Sequence, residues 1–228
     1  FVNLLMRKKE KILVFGSSGH AKVIIDAIEK ESNYEIMGLI DSNKDLGEET
    51  FGYRVLGKEE NLVNIVKDNK IEGGIIAIGD NWVRKEVEEK IKKNVSDFKF
   101  VTCIHPSAQI ARDVKIGKGT IVMPGAIINS SCNVGDHCIL NTNSSLDHDS
   151  TLSSFSSLAP NSTTGSNVRI GKFSVISLGA NVIHNVKIGE HCVIGAGSLV
   201  LEDIENNSLS YGIPAEFIRK RECGEKYL

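Results

Sequence analysis

The chain has 228 residues, 41% hydrophobic and 25% charged, with a formal charge of −2. That composition suits a folded protein in water and is long enough for one large domain or two small ones. The near balance of charge gives no electrostatic case for nucleic acid or an anionic membrane as partner, and no apolar run approaches the ~20 residues that span a bilayer.

The opening FVNLLMRKKEK is too short and wrongly ordered for a signal peptide, because its charges follow the apolar part. Met6 reads as an internal start and residues 1–10 as an N-terminal extension. The five cysteines, Cys103, Cys132, Cys138, Cys192 and Cys223, are odd in number and lack C-x-x-C spacing. This argues against a disulfide framework and a structural zinc site, and for a reducing, cytoplasmic setting.

From 11 to 101 short apolar runs alternate with helical periods. KILVF (11–15) reads as a buried strand, and GHAKVIIDAIEK as a helix with Val23, Ile24, Ala27 and Ile28 on one face. YEIMGLID (34–41) is a second strand and KEENLVNIVKD a helix. GGIIAIG (73–79) is a third strand, followed by the helix NWVRKEVEEKIKK with Asn81 as its expected N-cap. Such alternation implies a small parallel sheet with right-handed crossovers.

The first strand meets its helix at FGSSGHAKV. A glycine loop there can turn backbone N–H groups toward an anion, or can be a tight turn that needs glycine for conformation alone. The spacing is G-x-x-G and not the dinucleotide fingerprint G-x-G-x-x-G. Asp41 ends the second strand, where an acid can bond ribose hydroxyls or a base edge.

From Ile104 the period changes to six. Every sixth residue from Ile104 to Val200 is Ile, Leu or Val, except Thr164. Residues four further on are nearly all small, Cys132, Cys138 and Cys192 among them. A period of six belongs to a parallel β-helix, three hexapeptides to a coil. The aliphatics point into the prism, and the small residues, the three cysteines included, fit inside near its corners. Gly117, Gly135, Gly171, Gly189 and Gly195 follow an aliphatic and suit turns with φ > 0. The repeat covers 102–210. After it, YGIPAEFIRK reads as a turn and a short helix, part of a cap over 211–228 that closes the open end.

His148 stands between Asp147 and Asp149, two residues after an inward aliphatic. It is therefore near a turn and points outward, either as a solvated side chain or as a base whose ring the acids orient. His184 lies two coils further on the same face, and His137 and His191 share another face three coils apart.

FGSSGHAKVI, LNTNSSLDHD and YGIPAE, in that order around an α/β domain and a hexapeptide β-helix, closely resemble the bacterial sugar acyltransferases. These are the sialic acid O-acetyltransferases and the N-acetyltransferases of nucleotide-linked 4-amino sugars. The resemblance implies a small Rossmann-like domain, a left-handed β-helix, and homotrimers with sites between neighbouring β-helices. It implies acetyl transfer from acetyl-CoA with His148 as base, Asp149 as partner acid and Asp147 as second choice, and no metal. Ser18, Gly19 and His20 are implied at the diphosphate of a UDP-linked amino sugar, Asp41 at the nucleoside and Asn81 in the same crevice. Ser157, Ser166, Leu178 and Ala196 are implied at acetyl-CoA. Two departures stand out. Ser157 replaces a histidine that many relatives carry nine residues after the base, and Glu216 replaces a cation that Arg219 and Lys220 can substitute. O-acetylation of a sialic acid or related sugar is the alternative within this class. A trimeric β-helix with zinc held between chains, as in γ-type carbonic anhydrases, and a non-enzymatic scaffold are alternatives from other classes.

Overall fold

The computed structural model describes residues 8–227. Most of the expected N-terminal extension lies outside the described residues, and Glu10 already belongs to the first strand, β1 (Glu10–Phe15). Its apolar run is buried on both sides between parallel neighbours β2 (Tyr34–Ile40) and β5 (Gly73–Ile76). Helix α1 (Gly19–Glu31) crosses from β1 to β2, α2 (Leu62–Asn69) leads into β5, and α3 (Asn81–Asn94) follows it. Two short strands that the periodicity does not show, β3 (Glu49–Thr50) and β4 (Tyr53–Gly57), turn back on each other and widen the sheet to the order β3-β4-β2-β1-β5. The strand order reverses between β1 and β5. That is the switch point where the two following loops part and leave a crevice at the carboxyl ends of the strands.

Asp80, not Asn81, caps α3: its side chain accepts from the N–H groups of Trp82 and Val83 at 3.0 Å each. An aspartate one residue earlier in the chain reaches the free first-turn donors, and Asn81 is left for another use.

The second half is the expected left-handed parallel β-helix. Seventeen two-residue strands, one every six residues from Cys103–Ile104 (β6) to Leu199–Val200 (β22), stack as three parallel sheets. Residue i pairs with i + 18, as Ile127 does with Ser145. The aliphatics from Val122 onward fill the prism as one continuous core, with Cys132, Cys138 and Cys192 inside it. Each fully buried Leu, Ile or Val contributes about 1.5–3 kcal/mol by leaving water. The thiols add weak bonds to carbonyl groups, Cys132 Sγ to Asp147 O at 3.0 Å among them.

Each corner depends on one left-handed residue, three places after the aliphatic. From Asp113 to Gly197 this place has φ between 54° and 69° throughout, in Asn143, Asp149, Asn161, Asn167 and Asn185 as well as in glycines. Asparagine and aspartate tolerate this region at low cost. The expectation for Gly117, Gly135, Gly171, Gly189 and Gly195 is corrected here, because none of them has positive φ. They are required for close approach: a Cβ on Gly171 would lie 2.5 Å from the carbonyl carbon of Gly189 in the next coil.

The first face of the prism, through Ile121, Ile139, Ser157, Val175 and Val193, is covered. Cys103, Ile121 and Met123 share a core with Ile24, Ile25 and Ile28 of α1, so the α/β domain is seated on this face. At its far end the expected helix is instead a hairpin, β23 (Ser208–Gly212) and β24 (Ala215–Lys220). β23 pairs with the strand Val193–Ile194, and β24 folds back on β23. A helix over AEFIRK would have left the outer edge of β23 unpaired, and this decides against its local helical preference.

Gly171→Ala is expected to lower stability by about 1–3 kcal/mol through overpacking between coils; the midpoint of urea unfolding measures it.

Candidate functional site

Two sets of residues carry chemistry, one at the crevice of the α/β domain and one at a corner of the β-helix. At the crevice, β1 ends in Gly16, whose φ of +106° lets the chain leave the sheet; a Cβ there would meet Ala77 O at 3.0 Å. Ser18 and Gly19 are exposed at the start of α1, and the Ser18 side chain makes no cap bond. No acid stands in the first turn of α1, so its backbone donors and dipole face the crevice unopposed. Asp41 is held on both oxygens, accepting from Ser17 Oγ at 2.6 Å and from the N–H of Asn43 at 2.8 Å. Its remaining lone pairs are thereby fixed in direction. The half-buried His20 has a pKa lowered to about 4, by burial first and by the charge of Arg84 second.

The second set lies where the second face (Ile127, Ser145, Thr163) turns into the third (Asn133, Thr151, Arg169). His148, Ser166 and His184 follow one another along this corner at one-coil intervals. Asp149 occupies the left-handed place with φ 58°, and its carboxylate is 2.7 Å from His148 Nδ1. A carboxylate only accepts, so Nδ1 carries the proton and Nε2 keeps its lone pair. The imidazole pKa is raised, chiefly by the bond to Asp149; desolvation opposes this, and the fields of Asp147 and Asp149 add to it. Asp147 has a different use. It accepts from Asn129 Nδ2 at 2.7 Å and from the His148 N–H at 2.9 Å, and its own pKa is lowered mainly by Asn129. It fixes the backbone on which the ring is carried.

The expected CoA residues separate. Ser166 is one coil above His148. Leu178 and Ala196 are exposed on another corner, between the first and second faces. Ser157 is corrected: it lies under the α/β domain, 6% exposed, and donates to Asn81 Oδ1 at 2.6 Å. Asn81 is corrected with it. It is 1% exposed and also donates to Ser174 O at 3.1 Å, so it bonds the two domains and lines no open crevice. Arg219 and Lys220 are paired on the hairpin with Glu225 and Glu205.

The sequence reading missed the third corner. His137, Phe155, Phe173 and His191 occupy successive left-handed places, and their rings stack at 5.0, 5.6 and 4.7 Å. Trp82 of α3 packs on this column against Phe173 and His191. The 18-residue spacing of four aromatic rings is the signal that would have revealed it. Arg84, fully buried between the domains, has no such signal: in NWVRKEVEEKIKK it reads as one more surface charge. Among the described residues no helix is long and apolar enough to cross a membrane.

Residues 11–91 match the family model of the PglD N-terminal domain. The chain is 31% identical over 117 residues to the UDP-N-acetylbacillosamine N-acetyltransferase of Bacillus subtilis (strain 168), covering 50% of this chain and 51% of that one. It spans about half or less of the length of the curated relatives it matches. Similarity to solved structures runs through both domains. The GDP-perosamine N-acetyltransferase of Caulobacter crescentus, in a histidine-to-alanine variant complexed with CoA and GDP-perosamine, is 30% identical with a TM-score of 0.86, over 92% of this chain and 97% of that one. The acetyltransferase domain of PglB from Neisseria gonorrhoeae FA1090, complexed with acetyl coenzyme A, is 27% identical with a TM-score of 0.83, over 92% and 100%. The chain belongs to the nucleotide-sugar N-acetyltransferase family, with a PglD-type N-terminal domain.

In Asp149→Asn the His148 pKa is expected to fall back toward its ordinary 6.5, because the first cause of its rise is removed. Titration of the ring C–H signals by NMR measures the shift.

Proposed function

We propose that this protein transfers the acetyl group of acetyl-CoA to the 4-amino group of a nucleotide-linked sugar, UDP-linked in our reading, with His148 as general base. The observation that carries this is the His148–Asp149 pair: 2.7 Å between Nδ1 and Oδ2, with the ring open to solvent at Nε2. An amino sugar arrives mainly as its ammonium ion. It loses one proton to solvent, and Nε2 takes a second from the nitrogen as that nitrogen attacks the thioester carbonyl. The tetrahedral oxyanion is met by a backbone N–H of the coil wall. As the C–S bond breaks, the imidazolium returns its proton to the thiolate, and no covalent enzyme intermediate forms. The interior cysteines take no part, since burial raises their thiol pKa, that of Cys138 to about 12.

Ser18, Gly19 and His20 receive the diphosphate through the first turn of α1, and Asp41 receives the nucleoside. The working form is a homotrimer. The second face carries the exposed aliphatics Ile127 and Leu201, with Leu178 on its bordering corner. Packing this face around a threefold axis buries them. It also sets the corner of His148 and Ser166 of one copy opposite the corner of Leu178 and Ala196 of the next. This is why the CoA residues lie on two corners.

With acetyl-CoA and a UDP-linked 4-amino sugar, wild-type protein is expected to release free thiol. His148→Ala is expected to lose about 10²–10⁴ of that rate, the usual share of acid–base catalysis. Undiminished release from the variant rejects His148 as base. A base-labile ester on the sugar, in place of an amide, moves the reading to O-acetyl transfer. Because the His148 pKa is raised and the neutral ring is the base, the acid limb of kcat/KM lies above the ordinary histidine value. It moves to lower pH in Asp149→Asn, which a pH–rate profile checks.

A further inference from the structure

Arg84 is the largest fully buried side chain of the protein, and among the described residues no acid pairs with it. Asp80, whose field acts on it, spends one oxygen on capping α3. The guanidinium is satisfied by neutral acceptors alone. Nε donates to His137 O at 2.8 Å, Nη1 to Ile78 O at 2.9 Å and Gly79 O at 3.0 Å, and Nη2 to Asn81 Oδ1 at 2.6 Å and Ser157 Oγ at 3.4 Å. With no salt bridge, the positive charge is offset only by the longer-range field of the Asp80 carboxylate. A buried cation of this kind is a liability to stability.

The charge stands behind the crevice. The loop it grips, Ile78 to Asn81, leaves the carboxyl end of β5 and touches the β1 loop, where a Cβ on Gly16 would meet Ile78 Cγ1 at 3.3 Å. Across a planar trans peptide, C=O and N–H point in opposite directions. Drawing the carbonyls of Ile78 and Gly79 onto Arg84 therefore turns the N–H groups of Gly79 and Asp80 away from it, and these donate to no acceptor among the described residues. The same field reaches His20 in the first turn of α1. Tyr227 OH, from the C-terminal tail, donates to Gly79 O at 3.0 Å and holds the loop from a third side.

We infer that Arg84 is a positioning residue for the nucleotide sugar: its buried guanidinium, unpaired with any acid, fixes the Ile78–Asn81 loop with free N–H groups outward and places a permanent positive charge behind the diphosphate. This rests on the reading that the crevice takes a nucleoside diphosphate. Arg84 touches no substrate and acts through the loop and its field.

The test is calorimetric binding of UDP, GDP and uridine to the full chain, as wild type, Arg84→Gln and Arg84→Lys, with thermal unfolding as a control. Arg84→Gln is expected to weaken UDP by about tenfold or more and uridine by less than about threefold, since only the diphosphate feels the lost charge. Arg84→Lys keeps the charge without the fork, so both affinities fall while their ratio stays near wild type. Equal losses for UDP and uridine in Arg84→Gln, or no loss, overturn the inference and leave the nucleotide reading standing. If Arg84→Gln does not fold, a collapsed UDP-to-uridine ratio in folded Arg84→Lys overturns it equally. Wild type that binds neither UDP nor GDP overturns the nucleotide reading, and this inference with it.

Discussion

The six-residue interval sets everything else in the β-helix. Each strand offers one aliphatic to the prism and then turns through one left-handed residue, and the interior closes only if both recur without a slip. Because coils stack in register at 18 residues, every outward position becomes a column. Three columns stand out: one carries His148 with Ser166 and His184, one carries four stacked rings, and one carries Leu178 and Ala196. Asp149 shows how closely fold and site are joined. It is the residue that the corner needs, tolerant of positive φ, and that same backbone conformation sets its carboxylate on His148 Nδ1. The acid that orients the imidazole is thus also a structural corner.

The α/β domain is fixed on this scaffold by two different kinds of contact. One is apolar packing of α1 on Cys103, Ile121 and Met123. The other is polar and directional: Asn81, Arg84 and Ser157 bond one another, with Ser174 O and His137 O as further acceptors. Beside it, the column of His137, Phe155, Phe173 and His191 presents flat rings to Trp82 and Phe100. Phenylalanine in a left-handed corner costs about 1–2 kcal/mol, and stacking along the column and against α3 offsets this. The interior of β-helix corners is indifferent to these rings, so their selection follows from the domain contact.

The period of six, visible from Ile104 to Val200, sufficed to derive a β-helix and its inward residues. The alternation of apolar runs and helical periods sufficed for a parallel sheet. What it left out was short or set by partners. β3 and β4 are too brief to show a period. AEFIRK has no helical fate once an open strand edge lies beside it. The glycines after the aliphatics were rightly marked as special for the wrong reason: their constraint is a neighbouring coil and not their own φ. At the site, Asp147, His148 and Asp149 were legible because contiguous residues keep their relation in any fold. Asn81 and Ser157 were placed at ligands because their role depends on residues 76 positions apart in the chain.

The amino-acid sequence alone determined the two architectures and the acid–histidine–acid corner, since these rest on local periodicity and on adjacent residues. Only the tertiary structure decided which outward positions stay open and which are enclosed, and that Arg84 is buried without an acid. Burial of an outward side chain is a property of what docks upon it, and a one-dimensional pattern does not contain the docking partner.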